Sequence, residues 1–546
     1  MLVLALAATP AVAAPRLPPV SDPLRVYVAA RAAETLGDEG KAAQLFASLV
    51  AVSPSDPTIV QRALDGAIAA GNFDLALKLA RTVKPTDLPI NARLLLVAQD
   101  LRARRTTEGL KRLHAAGATP DLGFLAPVIQ AWDQAERGDA KSLDTIAQVP
   151  VAGPLGPFMA EQRALILAKL RRTVEAEPYA RRAIANSGGR EQRVRLEMAE
   201  AFRAAGDRPR ALAMLEGKGR AVALGRARLE RNKPVSALID SAPGAFAEIL
   251  LGLAIGLNRD ENQDLPIALA QVARFTVPDN SEAAIVLGLL LDQAGRTGDA
   301  LTAFASVTPD DLLVDQARDA TVRTLARADR SKEALAVASA AADAKDADAG
   351  DYSRLGDILS ETDRHAAAAD AYLRAIALLP TTGPGSSENW STYLLAGSAL
   401  EEAGRWPEAR AMIEKGLALS PDQPLLLNFL GYSKLTHGED IEAAEAMIRK
   451  ASVLRPSDSS ITDSLGWALF KRGKLNEAIE TLQKAAAGDP AQSEIGEHLG
   501  DALYTAGRRY EARFAWRAAL VTAEESEARR INAKIDRGLE PATAAP

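Results

Sequence analysis

The C-terminal half of the chain repeats a pattern of small and large residues every 34 positions. Gly466 and Ala478 recur one period later as Gly500 and Ala512. A period of this length is typical of a helix–turn–helix unit that stacks on its neighbours. Because two helices approach closely only where their side chains are small, we expect the helices of each unit to cross at these residues. Gly473 lies between the two helices, where a turn requires a positive φ.

The period and the placement of small residues resemble the tetratricopeptide repeat (TPR). The resemblance implies an all-α fold, a right-handed superhelical solenoid of stacked antiparallel helix pairs. The eighth position of successive units falls on Gly288, Val322, Gly356, Gly397, Gly431, Gly466 and Gly500. The interval from Gly356 to Gly397 is longer than the others and contains the turn-rich segment 381–387, which predicts a longer loop there, with 383–387 at its centre.

The strength of the repeat pattern divides the chain into five segments. We expect a signal peptide at 1–14, a proline-rich leader at 15–23, degenerate helical repeats at 24–280 and a regular TPR solenoid at 281–523. The charged segment 524–546 is predicted to form a polar capping helix and a disordered tail, because the last repeat has no neighbour to cover it. The pattern is weakest between 120 and 278. Within it, 219–243 is predicted to be a loop or an irregular pair of helices.

The first residues resemble an export signal in which one element is missing. Eight mostly apolar residues from Met1 precede the small-residue sequence Ala11-Val12-Ala13, which is typical of signal cleavage sites. No Lys or Arg precedes the apolar run, so either the start lies upstream or the run is not a signal. We expect an exported, periplasmic protein. The run is too short to span a membrane, and no later segment is uncharged for long enough, so no transmembrane segment is expected.

The composition excludes several classes of site. The chain has no cysteine, which excludes disulfides, thiolate metal sites, cysteine nucleophiles and an N-terminal lipid anchor. The four histidines are scattered, and no nucleotide-binding or hydrolase motif is present. The net charge of −6 does not favour nucleic-acid binding. We therefore predict no enzymatic activity, no cofactor and no metal. Two alternatives stay open: a self-associating structural protein, and an enzyme that uses the irregular region 120–278.

The TPR resemblance also implies where a partner would bind. In that family the first helix of each unit lines a concave groove, mainly through its second, fifth, ninth and twelfth residues. In the last three units these positions supply the candidate partner-binding residues Asn428, Tyr432, Asp463, Trp467, Phe470, Glu497, Asp501 and Tyr504. The aromatic residues would anchor a partner, and the carboxylates would favour a basic or neutral segment over an acidic one. The alternative is that Trp467 and Phe470 pack between adjacent first helices.

Four short runs carry a narrower resemblance. They are Asn-Phe-Leu-Gly-Tyr at 428–432, Asp-Ser-Leu-Gly-Trp-Ala at 463–468, His-Leu-Gly-Asp at 498–501 and Ala-Arg-Phe-Ala-Trp at 512–516. Together they resemble bacterial exported TPR adaptor lipoproteins that bind and activate carboxyl-terminal processing proteases and present cell-wall hydrolases to them. The resemblance covers about 397–520. It implies a processing protease as partner and an adaptor role in the cell envelope, without the lipid anchor, since the chain lacks the cysteine.

Overall fold

The structure is a computed structural model that describes residues 22–114, 121–217, 219–258, 263–379 and 389–545. Within these ranges all regular secondary structure is helical and no β-strand occurs. None of the described helices is both long and apolar enough to cross a membrane. The predicted signal peptide, nearly all of the proline-rich leader, the segment 383–387 and the last residue lie outside the described residues. The chain divides into two units, Met1–Arg330 and Ser331–Pro546.

The described residues of unit 1 form a succession of helices. They are α1 (Pro23–Thr35), α2 (Glu39–Val52), α3 (Pro57–Ala69), α4 (Phe73–Ala80), α5 (Ile90–Arg102), α6 (Thr106–Leu113), α7 (Ala126–Glu136), α8 (Ser142–Ala147), α9 (Met159–Lys169), α10 (Thr173–Asn186), α11 (Glu191–Ala204), α12 (Arg208–Met214), α13 (Arg220–Glu230), α14 (Ala242–Leu257), α15 (Asp264–Thr276), α16 (Ser281–Gln293), α17 (Thr297–Ala305) and α18 (Val314–Arg327). The segment 219–243 therefore holds one complete helix, α13, followed by residues without helical structure.

In unit 1, some helices that are distant along the chain contact one another, in addition to the contacts between neighbouring helices that a solenoid has. Helix α15 packs against α3 and α5, and α14 packs against α5 and α7. Gln271 Nε2 donates a hydrogen bond to the Ala69 carbonyl oxygen at 2.9 Å, and Arg102 Nη1 donates to that of Phe275 at 2.8 Å. Helix α14 is apolar on nearly every face, as expected for a helix surrounded by others. The sides of α5 and α7 that face α14 are thus covered by the chain itself.

Unit 2 begins with α19 (Ser331–Ala342) and continues as five helix pairs and a final helix. The pairs are α20 (Ala349–Glu361) with α21 (His365–Leu378), α22 (Trp390–Glu402) with α23 (Trp406–Leu419), α24 (Pro424–Thr436) with α25 (Ile441–Leu454), α26 (Ser459–Lys471) with α27 (Leu475–Gly488), and α28 (Ser493–Thr505) with α29 (Arg509–Leu520). The final helix is α30 (Glu525–Arg537). First helices also contact the next first helix, as in α24 with α26 and α26 with α28.

The glycines of the repeat lie at close helix crossings, as the sequence predicted. A Cβ at Gly466 would lie 2.6 Å from Leu482 Cγ, and one at Gly500 would lie 2.2 Å from Trp516 Cδ1. Gly473 turns between α26 and α27 with φ +73°, a conformation that costs glycine little. In both pairs the close contact is made by a large side chain of the second helix, so a small residue and a large one interlock at the crossing.

The C-terminal residues lie against the last helix pair. After α30, a short 3₁₀ helix spans Pro541–Thr543, and Ala545 is buried. The backbone N–H of Ala545 donates to Asp501 Oδ2 at 3.0 Å. The structure thus places residues 541–545 beside the buried Asp501 carboxylate, and the disorder of the tail stays a prediction.

Candidate partner-binding site

Trp467 lies in a stack of rings that joins α26 to α28. Its ring centroid is 4.8 Å from that of Phe470 and 4.0 Å from that of His498, with near-parallel planes. Lys471 Nζ lies 4.7 Å from the centroid of the indole ring. Only 1% of Trp467 is exposed. The expectation of an open aromatic anchor is therefore wrong for Trp467, which packs between adjacent first helices, whereas Phe470 stays partly exposed.

Asp463 holds the imidazole of this stack in place. Its two carboxylate oxygens lie 3.1 and 2.9 Å from Nδ1 of His498, and both residues are buried. Burial lowers the pKa of His498, but the charge and hydrogen bond of Asp463 outweigh it, so the pKa is raised overall. Because a carboxylate only accepts hydrogen bonds, Nδ1–H of His498 donates to Asp463. Asp463 is occupied by His498 and does not face an open groove, which corrects its predicted role in selecting a ligand by charge.

Glu497 and Asp501 of α28 are covered by α30. Glu497 accepts hydrogen bonds from Arg530 Nε at 2.7 Å and Nη2 at 2.6 Å, and from Lys534 Nζ at 2.6 Å. Lys534 Nζ also donates to the two oxygens of Asp501 at 2.8 and 2.7 Å. Lys534 and both carboxylates are buried. The predicted preference of these acids for basic groups is therefore satisfied within the chain, and neither acid is exposed.

The two carboxylates differ in their pKa shifts. Burial raises the pKa of Glu497. Hydrogen bonds from Arg530 and Lys534 lower this pKa by more than burial raises it, so the pKa is lowered overall. Burial raises the pKa of Asp501, and the ammonium group of Lys534 does not fully offset this. Asp501 also accepts from Trp516 Nε1 at 2.9 Å. Asp501 is thus the less well compensated charge of the two.

Asn428, Tyr432 and Tyr504 are the remaining candidates, and all three are partly exposed. Tyr432 Oη donates to Glu494 Oε1 at 2.7 Å, a bond that connects α24 to α28 across α26. Burial and the neighbouring Glu494 carboxylate raise the pKa of the Tyr432 hydroxyl, which therefore stays protonated. Among the described residues, the buried Oδ1 of Asn428 accepts no hydrogen bond. Tyr504 packs against Trp516, with ring centroids 5.5 Å apart.

Sequence reasoning missed His498, Arg530 and Lys534 as members of this region. A signal for two of them is present in the chain: Glu497 and Asp501 are four positions apart, and so are Arg530 and Lys534. Residues at this spacing share one face of a helix. Two acids on α28 and two bases with the same spacing on α30 predict that these two helices pack against each other and form ion pairs. No comparable signal marks His498.

The sequence profile of the family described as tetratricopeptide repeat matches residues 394–459 and 464–528. These stretches of unit 2 are tetratricopeptide repeats. They span the helix pairs from α22 to α29, whose glycine crossings and regular period have the geometry described above. No curated protein matches the chain in sequence.

Several solved structures resemble the chain at low identity. The Cut9–Hcn1 hetero-tetramer of the APC/C is 15% identical with a TM-score of 0.36, and the match covers 95% of this chain and 97% of that chain. A tetratricopeptide repeat protein from Parabacteroides merdae is 13% identical with a TM-score of 0.39, covering 47% and 97%. YrrB, described as a TPR protein with an unusual peptide-binding site, is 21% identical with a TM-score of 0.27, covering 34% and 93%. Similarities at this level do not bear on function.

The irregular region of unit 1 contains a buried ion cluster outside the TPR stretches. It joins α9, α11, α14 and α16 and consists of Glu161, Arg190, Arg193, Glu197, Glu248 and Glu282. Arg190 Nε and Nη2 donate to Glu282 at 2.6 and 2.9 Å, and Arg193 Nη2 donates to Glu248 at 3.1 Å. Burial raises the pKa of Glu161 to about 7, since its carboxylate neighbours oppose the arginines.

Three carboxylates of this ion cluster come within metal-binding distance of one another. Oxygens of Glu161, Glu197 and Glu248 all lie within 4.8 Å. Each of these residues is also within 3.6 Å of a guanidinium nitrogen of Arg190 or Arg193, which already supplies positive charge where a cation would bind. The ion cluster is therefore assigned a packing role that connects four helices.

Proposed function

We propose that the chain is a non-catalytic scaffold that binds protein partners through the first helices of unit 2. The observation that carries this proposal is the way α28 holds α30. Two carboxylates four positions apart bind two basic residues four positions apart, and the helix that carries them is held by charge as much as by apolar contact. First-helix faces of this unit thus have the chemistry to bind a basic helical segment.

The part of this face that an external segment would meet is formed by Asn428, Tyr432 and Glu494. Asn428 lies one helical turn before Tyr432, and Tyr432 is hydrogen-bonded to Glu494. The Glu494 side chain is 40% exposed, whereas the Asn428 amide oxygen is buried and accepts no hydrogen bond from the described residues. The Glu494 carboxylate favours a donor that carries positive charge, because a carboxylate only accepts hydrogen bonds. A Lys or Arg side chain of a partner meets this requirement.

Site-specific photo-crosslinking in the native cell tests the proposal. We expect a photoreactive residue in place of Asn428 to capture a partner through a segment that contains Lys or Arg. A photoreactive residue in place of Val453, which is exposed on α25, is the control for random encounters. Glu494→Gln should reduce capture at position 428, whereas Glu480→Gln on α27 should not. Equal capture at both positions, or capture that Glu494→Gln leaves unchanged, would contradict a specific site.

The narrower resemblance over 397–520 supports a more specific proposal. The chain would act in the periplasm as an adaptor that binds a carboxyl-terminal processing protease and presents substrates to it. Addition of the purified chain should then raise the rate at which such a protease cleaves an envelope substrate, and Glu494→Gln should reduce the effect. An unchanged cleavage rate in the presence of the folded chain would rule out this role while leaving the scaffold proposal standing. Recovery of the chain from the periplasmic fraction tests its location.

A further inference from the structure

Helix α29 carries an exposed aromatic and apolar stripe on the side opposite its buried face. Tyr510 is 76% exposed, Phe514 54% and Val521 83%, and the two aromatic rings contact each other with centroids 5.1 Å apart. These residues and Arg517 are spaced by four, three and four positions, so they lie along one line of α29 and of Val521, the C-cap residue that directly follows it. The buried residues Ala512 and Trp516 face the other way. We call Tyr510, Phe514, Arg517 and Val521 the α29 stripe.

The α29 stripe is a departure from the preceding repeat and not a property of the fold. The residues of α27 that correspond to the two aromatic residues, one period earlier, are Asn476 and Glu480. The same position on the same kind of helix is thus polar in one repeat and aromatic in the next. The aromatic side chains are largely exposed, so their burial contributes little to the stability of the fold. Contiguous exposed aromatic residues of this kind mark interaction surfaces.

The charges beside the α29 stripe indicate the chemistry of what binds it. Arg509, Arg513 and Arg517 lie on α29, and within the described residues none of the three forms an ion pair. Arg513 Nε donates to the backbone oxygen of Ile535, and Arg509 lies over the ring of Tyr504. The arginines therefore provide positive charge beside apolar surface in a chain whose net charge is −6.

We propose that the α29 stripe docks an acidic amphipathic helix of a partner protein. The stripe is about 16 Å long, which matches about three turns of a helix packed alongside α29. Apolar side chains of that helix would cover Tyr510, Phe514 and Val521, while its carboxylates would pair with the arginines. This surface is separate from the contacts of α24 and α28 and does not depend on the function proposed for them.

The local charges favour a helix over the other two possible occupants. A second copy of the chain that presented the same stripe would bring three more arginines to the contact and no carboxylate within the stripe to pair with them, which is unfavourable. An anionic membrane is a flat surface that would also meet Glu511, Glu524 and Glu525, which lie near the arginines along the chain. A helix can place its carboxylates opposite the arginines alone.

Binding of a defined peptide to the full chain tests the proposal. The probe is a crosslinked helical peptide of about five turns with Leu and Phe on one face and Glu beside them. We expect Tyr510→Asn/Phe514→Glu, which copies the residues of α27, to weaken binding at least about tenfold in fluorescence anisotropy. A peptide with Lys in place of Glu should bind the wild-type chain at least about tenfold less tightly than the Glu peptide. Val453→Asn, which removes an equally exposed apolar side chain on α25, should leave binding unchanged.

Four results would overturn the proposal. One is equal binding of the acidic peptide to the wild type and to the double variant, whose unchanged tryptophan emission would show that unit 2 is folded. Another is equal binding of the Lys peptide. A third is sedimentation with phosphatidylglycerol vesicles that the double variant abolishes, which would assign the stripe to a membrane. The last is a dimer in analytical ultracentrifugation that the double variant dissociates, which would assign it to a second copy.

Discussion

Replacing Lys534 by Met should destabilise unit 2 strongly, although the change adds an apolar side chain to a buried position. The ammonium group lies between two buried carboxylates, 2.6 Å from Glu497 and 2.7 Å from Asp501. After the substitution Glu497 keeps its paired hydrogen bonds from Arg530. Asp501 keeps only N–H donors without charge. The variant therefore leaves one buried carboxylate without a cation.

The magnitude follows from which partner is removed. Removal of one member of a buried ion pair costs about 3–5 kcal/mol, because the remaining charge is uncompensated. Removal of an exposed partner costs about 0–1 kcal/mol. Lys450→Met is the matched control, since Lys450 pairs with Asp422 at 2.6 Å while both side chains are about half exposed or more. We expect Lys534→Met to lower the free energy of unfolding by about 3–5 kcal/mol and Lys450→Met by less than about 1 kcal/mol.

Urea unfolding followed by tryptophan fluorescence measures this difference, because Trp516 is hydrogen-bonded to Asp501. The loss in Lys534→Met should shrink as the pH falls. Burial already raises the pKa of Asp501 in the folded state. Protonation of such a carboxyl group at lower pH stabilises the folded state relative to the unfolded state. Adding Asp501→Asn should recover most of the loss, since Asn still accepts from the indole N–H. Equal, small effects of Lys534→Met and Lys450→Met would refute the reasoning.

Three further predictions concern other parts of the chain. Gly466→Leu should destabilise unit 2 by about 1–3 kcal/mol through overpacking, since even a Cβ would lie 2.6 Å from Leu482; an unchanged thermal midpoint would refute the helix crossing. His498 has a raised folded-state pKa, so its contribution to stability is complete below about pH 6.5 and is lost as the pH rises through the folded-state pKa. The urea midpoint of the wild type should therefore fall as the pH rises over that range. His498→Gln should remove this pH dependence. Arg193→Met should cost about 3–5 kcal/mol in calorimetry, because the arginine is buried among carboxylates; a loss below about 1 kcal/mol would contradict its role in the ion cluster of unit 1.

The helical repeat could be predicted from the sequence because its cause is local. Gly466 and Gly500 must be small wherever two helices cross closely, and Gly473 must tolerate a positive φ. These requirements recur at a fixed spacing along the sequence. The residues of each unit are therefore enough to predict its helix pair, and the packing of the neighbouring units need not be known. The family match over 394–459 and 464–528 covers the part in which the eighth position of every unit, from Gly397 to Gly500, is a glycine.

The candidate site could be predicted only in part. The sequence placed Trp467, Asp463 and Glu497 on first helices, where the structure has them. It did not predict that His498 and α30 would bury them, because exposure depends on which residues of a later helix come close. Four further candidates also lie on first helices and are partly exposed: Asn428, Tyr432, Phe470 and Tyr504.

The sequence by itself determined that the chain is helical, where its regular units turn and which residues let the helices cross. Only the tertiary structure decided which charges meet. Glu497 and Asp501 find their partners in α30, the second helix after their own, and α15 packs on α3 although many helices separate the two along the chain. Such contacts have no fixed spacing in the sequence. They follow from the way in which the helices pack and from the cost of leaving buried charges unpaired.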